Sequence, residues 1–404
     1  MQFCDLPAEL VLHTVSLITR PFIDPDEWDP PFVPELVPDV PSINSLSQTN
    51  TVFHQTLNKT LYRLCAKDAA LRKRALVFAI THELETTLDK LVAEKLSLDG
   101  EFEHSCYRGS LLHIAAGMGL RTMVAKLLDL YGGGMMARVH ARNKDNRTPL
   151  DDAVFFGHMD VVQLLAPIRP PPATPPPPIL LNKDYLSPAL LQAAASNRTE
   201  MAVYLISEGA DVNILDDKFY SRTPLYYPSF TKNLRLVQIL LAAGANPNLH
   251  KRDAFIPLFT AVRSKNLPIV QALVDGGADI HVRDRWDRNV LFHQMSIELF
   301  RFFLERGVDP NQRDYAGSTA LHKVCGSEHA EYEKGSVELL CEFGALPDKP
   351  DDDGKTAVGL AMENRLSDIV KILEPFVQNP DLQAKIAEWS LIKVYSTSNL
   401  KRKR

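Results

Sequence analysis

The chain has 404 residues, 45% of them apolar and 24% charged, with a formal net charge of -5 at pH 7. The apolar share is that of a folded chain, which excludes a disordered polyelectrolyte. The mild acidity excludes a globally basic nucleic-acid binder, and no apolar run approaches the ~20 residues of a membrane-spanning helix.

Met1-Gln2-Phe3-Cys4-Asp5 lacks the basic-then-apolar layout of a secretory signal, so the expected location is cytoplasmic, nuclear or both. Leu6-Pro7-Ala8-Glu9-Leu10 opens a helix, with proline at an early helical position and Leu10, Val11, Val15 and Ile18 on an apolar stripe. Residues 21–41 are rich in proline and acid and cannot continue it, because each proline removes a donor and obstructs the preceding turn. A second helical pattern runs from Ile43 through Leu46, Thr49, Phe53 and Leu57 to Leu61-Tyr62. Residues 1–66 thus form a small helical module of their own.

From residue 67 one phrase recurs. After a degenerate first unit on Leu76 and Ala79 come Ser110-Leu111-Leu112-His113-Ile114-Ala115, Thr148-Pro149-Leu150 with Ala153, and Leu190 with Ala193. Thr223-Pro224-Leu225, Pro257-Leu258 with Ala261, Val290-Leu291, Thr319-Ala320-Leu321-His322 and Thr356-Ala357-Val358 follow. The key apolar positions 112, 150, 190, 225, 258, 291, 321 and 358 are separated by 38, 40, 35, 33, 33, 30 and 37 residues. A second phrase, Gly209-Ala210-Asp211-Val212-Asn213, returns at Gly244, Gly277, Gly307 and Gly344, each time after an apolar helical stretch. Glycine there ends a helix in the left-handed conformation, and the Thr-Pro pair starts the next one. The period predicts about eight or nine stacked helical hairpins over residues 67–378. A proline-rich loop at 167–184 interrupts them; it reads as a semi-rigid spacer or, through its P-x-x-P spacing, as an SH3 or WW ligand. Residues 379–404 form a capping helix on Leu382, Ile386, Trp389, Leu391 and Ile392. They end in Lys401-Arg402-Lys403-Arg404, an import signal or a solvated tail.

Catalytic constellations are absent. Gly132-Gly133-Gly134 lacks the following Gly-Lys-Ser/Thr of a phosphate loop and reads as a helix end. Asp351-Asp352-Asp353 lacks the ladder of a calcium loop and reads as a solvated hairpin tip. The five cysteines (Cys4, Cys65, Cys106, Cys325, Cys341) form no C-x-x-C pair and read as reduced thiols rather than a metal site. No enzyme, cofactor or metal is expected.

The phrases at Leu112 to Val358 resemble the ankyrin repeat, which implies an all-α solenoid of helix-turn-helix units that binds protein partners. In that family the histidine of the phrase, here His113 and His322, bonds between neighbouring backbones. Leu6-Pro7-Ala8-Glu9-Leu10 followed by Leu46-Ser47-Gln48-Thr49-Asn50-Thr51-Val52-Phe53-His54 resembles the F-box, which docks on a Skp-type adaptor of a cullin ubiquitin ligase. The resemblance implies a docking stripe of Leu6, Pro7, Leu10 and Ile18 with Leu46 and Phe53. A plain helical cap on the first repeat is the alternative reading.

The repeat register places hairpin tips before each key leucine. Four consecutive tips carry Phe219, Tyr220 and Arg222; Arg252 and Phe255; Arg283, Arg285, Trp286 and Arg288; and Arg313 and Tyr315. Solvated turns favour small polar residues, whereas aromatic and arginine side chains concentrate binding energy. A protein target on these tips, acidic or phosphorylated to suit the arginines, is the expected partner. Folding of the rings and arginines back onto neighbouring repeats is the competing expectation.

Overall fold

A computed structural model describes residues 19–21, 36–38, 69–168, 186–216, 222–250, 256–327 and 333–401, with side chains at 69 and, within these ranges, from 72 to 390. The docking residues Leu6, Pro7, Leu10, Ile18, Leu46 and Phe53 lie outside these, as does the proline-rich run from 169. Within the first 68 residues, β1 (Thr19–Pro21) and β2 (Leu36–Pro38) pair antiparallel at the two ends of the proline-rich insert. The chain divides into two compact units, Met1–Leu181 and Asn182–Arg404.

The first unit contains α1 (Ala69–Thr81), α2 (Glu85–Ala93), the hairpin β3 (Phe102–His104) and β4 (Tyr107–Gly109), α3 (Leu111–Gly117), α4 (Arg121–Tyr131), α5 (Met135–Val139), α6 (Pro149–Phe156) and α7 (Met159–Leu165). Helix α3 packs between α1 and α6, while α4 packs on α7. Leu76, Leu112, Leu127 and Leu150 are buried at these contacts. Gly132–Gly134 forms a short 3-10 turn after α4, beginning with a left-handed Gly132 (φ 47°).

The second unit contains α8 (Leu186–Ala195), α9 (Thr199–Ser207), α10 (Tyr226–Thr231), α11 (Leu234–Ala242), α12 (Pro257–Arg263), α13 (Leu267–Asp275), α14 (Ile297–Glu305), α15 (Ala320–Cys325), α16 (Lys334–Glu342), α17 (Ala357–Glu363), α18 (Ser367–Leu373) and α19 (Pro380–Lys401). An inner row runs α8, α10, α12 and then α15, α17; an outer row runs α9, α11, α13 and then α14, α16, α18. Where the repeat is short, Val290–Phe292 replaces the inner helix with one 3-10 turn, packed on α14 and α15. Outer helix α14 offsets that loss of apolar surface with Phe300 and Phe303, both essentially inaccessible. In α19 the apolar pattern seats Ile386 fully, while Leu382 and Trp389 stay partly exposed.

Local chemistry explains the helix starts. Ser110 with His113, Thr148 with Asp151, and Thr319 with His322 form capping boxes that satisfy two otherwise orphaned donors each. Asp151 takes the place of histidine in the second. In the unit of α10, Tyr226 occupies that place, and the buried Thr223 hydroxyl finds no hydrogen-bond partner.

Helix ends use two sets of left-handed residues. The outer helices end at the five expected glycines, Gly209, Gly244, Gly277, Gly307 and Gly344, with φ between 81° and 94°. The inner helices end at Glu83, Gly119, Gly157, Asn197, Lys232, Lys265 and Arg365, with φ between 53° and 98°. Each stands seven residues after its key apolar residue. Five of these seven are not glycine, and the sequence gives no sign of their conformation.

An asparagine ladder joins successive turns. Asn213 donates Nδ2 to the carbonyl of Gly244 (3.1 Å) and accepts at Oδ1 from Asn246 N (2.7 Å). Asn248 does the same to Gly277 (2.8 Å) and Asp279 (2.8 Å), and Asn311 to Gly344 (2.8 Å) and Leu346 (2.9 Å). His281 stands where the next asparagine belongs, and that rung is replaced by Asn289 Nδ2 donating to Asp309 O (2.8 Å).

Candidate binding tips

The tips are Asx hairpins built by one side chain each. Asp284 accepts at Oδ1 from the backbone N–H of Trp286 (2.9 Å) and Arg288 (3.0 Å), and its own N–H donates to Arg288 O (2.9 Å). Asp314 and Asp351 repeat that pattern in the second unit and Asn143 in the first. The fourth residue of each loop is left-handed: Asn146, Asp287, Gly317 and Gly354. Short carboxylate and amide side chains suit this geometry because they replace a backbone acceptor within the turn.

Neighbouring tips are stitched edge to edge. The Tyr315 N–H donates to Trp286 O (3.1 Å), and the Asp352 N–H to Ala316 O (3.1 Å). Two arginines reinforce the seam. Arg288 Nε donates to Asp314 Oδ2 (3.2 Å), and Arg313 pairs with Asp352 (2.8 Å) across repeats. Arg283 pairs with Asp287 (3.1 Å) within its own tip. Arg285 makes no ion pair among the described residues; its guanidinium lies 3.9 Å from the Trp286 ring centroid, with that of Arg288 5.0 Å away. Trp286 is 43% exposed and Tyr315 75%. The structure therefore joins Arg285, Trp286, Arg288 and Tyr315 on one edge, while Arg283, Arg288 and Arg313 hold this chain's own carboxylates.

Arg222 lies 4.9 Å over the Tyr226 ring and 5.9 Å from Tyr227, whose hydroxyl is held above its ordinary range, first by burial. Phe219, Tyr220, Arg252 and Phe255 fall outside the described residues. Phe230, near the end of α10, is 64% exposed and had no place in the tip pattern, since its position lies on an inner helix. Its sequence signal is a phenylalanine where aligned repeats carry Ala195, Arg263 and Gly326.

A family model described as ankyrin repeats (three copies) matches residues 184–284 and again 290–384. These segments are ankyrin repeats. The fold class is accordingly all-α, of the ankyrin solenoid type. Human mitochondrial disaggregase is 29% identical over 212 residues, 51% of this chain and 28% of that protein. Human ankyrin repeat and SOCS box protein 16 is 29% identical over 190 residues, 43% of this chain and 40% of that one. The matches span only 19–40% of the length of these and two further curated relatives. Among solved structures, the human ASB11 ankyrin repeat domain matches at 22% identity and a TM-score of 0.41, over 54% of this chain and 89% of that domain.

Ankyrin repeats bind protein partners, and the fold is typically a scaffold rather than an enzyme. Among the described residues, no group of His, Cys, Asp or Glu could hold a metal ion, and no helix is long and apolar enough to cross a membrane. The ankyrin histidines are structural in geometry. His113 Nδ1 accepts from Ser110 N (3.1 Å), which fixes the ring proton on Nε2, where it donates to Arg147 O (3.0 Å). Burial holds this imidazole below its ordinary range.

Proposed function

We propose that this chain is a protein-binding adaptor whose ankyrin tips hold a target. The observation that carries the reading is the pair Trp286 and Tyr315. They are large aromatics exposed on adjacent tips that the Tyr315 N–H to Trp286 O bond holds in fixed relation. Rigid aromatic anchors are the side chains that concentrate interface energy. Arg285 stacked on Trp286 adds a cation, suiting an acidic or phosphorylated segment of the target.

In the fuller proposal, residues 67–378 form one repeat array and residues 1–66 dock through Leu6, Pro7, Leu10, Ile18, Leu46 and Phe53 on a Skp-type ligase adaptor. Residues 379–404 supply a cap and a basic tail. A relative named for ankyrin repeats and a SOCS box supports this direction. Ubiquitin transfer would then gain from effective concentration rather than from chemistry on this chain. The cytoplasm or nucleus is the proposed site of action. A scaffold unrelated to ubiquitin, with the first helices as a cap, is the second reading.

Affinity purification of the full chain with a Skp-type adaptor separates them. The ligase reading expects a stoichiometric complex that is lost on Leu6→Ala with Leu10→Ala, and no complex would sink it. Trp286→Ala with Tyr315→Ala is expected to strip the co-purifying target and leave the adaptor bound.

A further inference from the structure

The cations at the opposite ends of the inner helices differ from those on the tips. The turn that follows each inner helix carries Arg198, Lys232 and Lys265 in three consecutive repeats, all exposed. Among the described residues none of the three makes an ion pair, whereas Arg283, Arg288 and Arg313 on the tips all do. The local counter-charge is already engaged: Glu200 pairs with Arg235 at 2.8 Å.

These turns also share one construction. Asn197, Lys232 and Lys265 are left-handed, with φ of 57°, 63° and 54°. Glycine takes that conformation freely and lysine does not. Glu83, Gly119 and Gly157 fill the equivalent places in the first unit. The turns sit side by side: Asn233 Nδ2 donates to Asn197 Oδ1 (2.7 Å) and Thr199 Oγ1 (2.8 Å), and α11 packs on α13. Packed helices lie about 8–10 Å apart, so three unpaired cations recur at that spacing along one edge.

We infer that this edge is a second docking surface, for an extended acidic peptide. A polyproline II chain has three residues per turn and rises about 3.1 Å per residue, so carboxylates at every third residue share one face and meet successive turns about 9 Å apart. Three isolated cations on a chain of net charge -5 fit a short acidic peptide better than the phosphate density of a nucleic acid. The inference stands apart from the tip reading and uses none of its residues.

The test uses the full chain and fluorescence anisotropy of a labelled peptide of about ten residues with glutamate at every third position and proline between, to favour the polyproline II conformation. The same peptide with glutamine is the control. Expected is binding of the glutamate peptide alone, weakening with salt, and reduced about tenfold or more by Arg198→Glu with Lys232→Glu and Lys265→Glu. Trp286→Ala should leave it unchanged. Lys232→Gly with Lys265→Gly is compatible with the turn, so it should raise the melting temperature while weakening the peptide. Equal binding of both peptides, retention by the charge-reversed chain, or loss with Trp286→Ala would overturn the inference. Tighter capture of a single-stranded oligonucleotide or of anionic vesicles, lost in the charge-reversed chain, would also overturn it.

Discussion

His322 Nε2 donates to the carbonyl of Lys355, 3.1 Å away in the next repeat, while its Nδ1 accepts from Thr319 N at 3.2 Å. One neutral ring therefore caps its own helix and fastens the tip that follows. Replacing His322 with alanine takes the side-chain acceptor from the buried Thr319 N–H and removes the cross-repeat donor to Lys355 O, which keeps only the Asp351 N–H of its own tip. The expected loss is about 1–3 kcal/mol in denaturant unfolding.

That geometry sets an acid-side dependence. Burial holds His322 and His113 below the ordinary histidine value of 6.5. The unfolded chain takes up protons below 6.5 that the folded chain refuses. Their contribution stands in full above that value and is lost as pH falls toward the folded values. Thermal melts between neutral and mildly acid pH should show the decline, and His322→Ala should flatten it.

Asp152 carries the opposite sign. Burial pushes its carboxyl from 3.8 up to about 7, despite Arg147 at 3.5 Å and an amide hydrogen bond from Asn143. The folded chain then holds a proton between those values that the unfolded chain has released. Asp152 thus opposes folding as pH rises toward and past 7. Asp152→Asn keeps an acceptor for Asn143 and should stabilise the first unit at alkaline pH, with little effect near pH 4. Hydrogen exchange of α6 amides would read this directly.

The ladder predicts one loss and one gain. Asn248→Ala removes bonds to both Gly277 and Asp279 and should cost about 1 kcal/mol or somewhat more. His281→Asn restores the amide that the ladder lacks before Gly307 and should gain about 0.5–1.5 kcal/mol. Urea midpoints of the two variants check both signs.

Arg365 closes the last inner helix with φ 58°. Arg365→Gly relieves a left-handed arginine and should stabilise by about 1 kcal/mol. A lower midpoint would mean that the arginine makes a contact outweighing its strain.

The repeat, its helix starts, its outer glycine turns and the location of the tips were legible in the sequence. Each is written locally, in a phrase of a few residues whose chemistry does not depend on distant neighbours. Thr148-Pro149 and Gly244 act within one turn of themselves. The sequence reading also found aromatic and basic tips, but it could not say which charges remained available. Arg313 meets Asp352, 39 residues away, and Arg288 meets Asp314, 26 away, only because stacking brings one tip against the next. The same limit hid the inner-helix turns, because a lysine such as Lys265 declares its φ only once the helices on both sides are packed. Periodicity alone thus determined what kind of unit this chain repeats. Tertiary packing decided which of its cations are spent within the protein and which face outward, since an ion pair is a property of two positions in space.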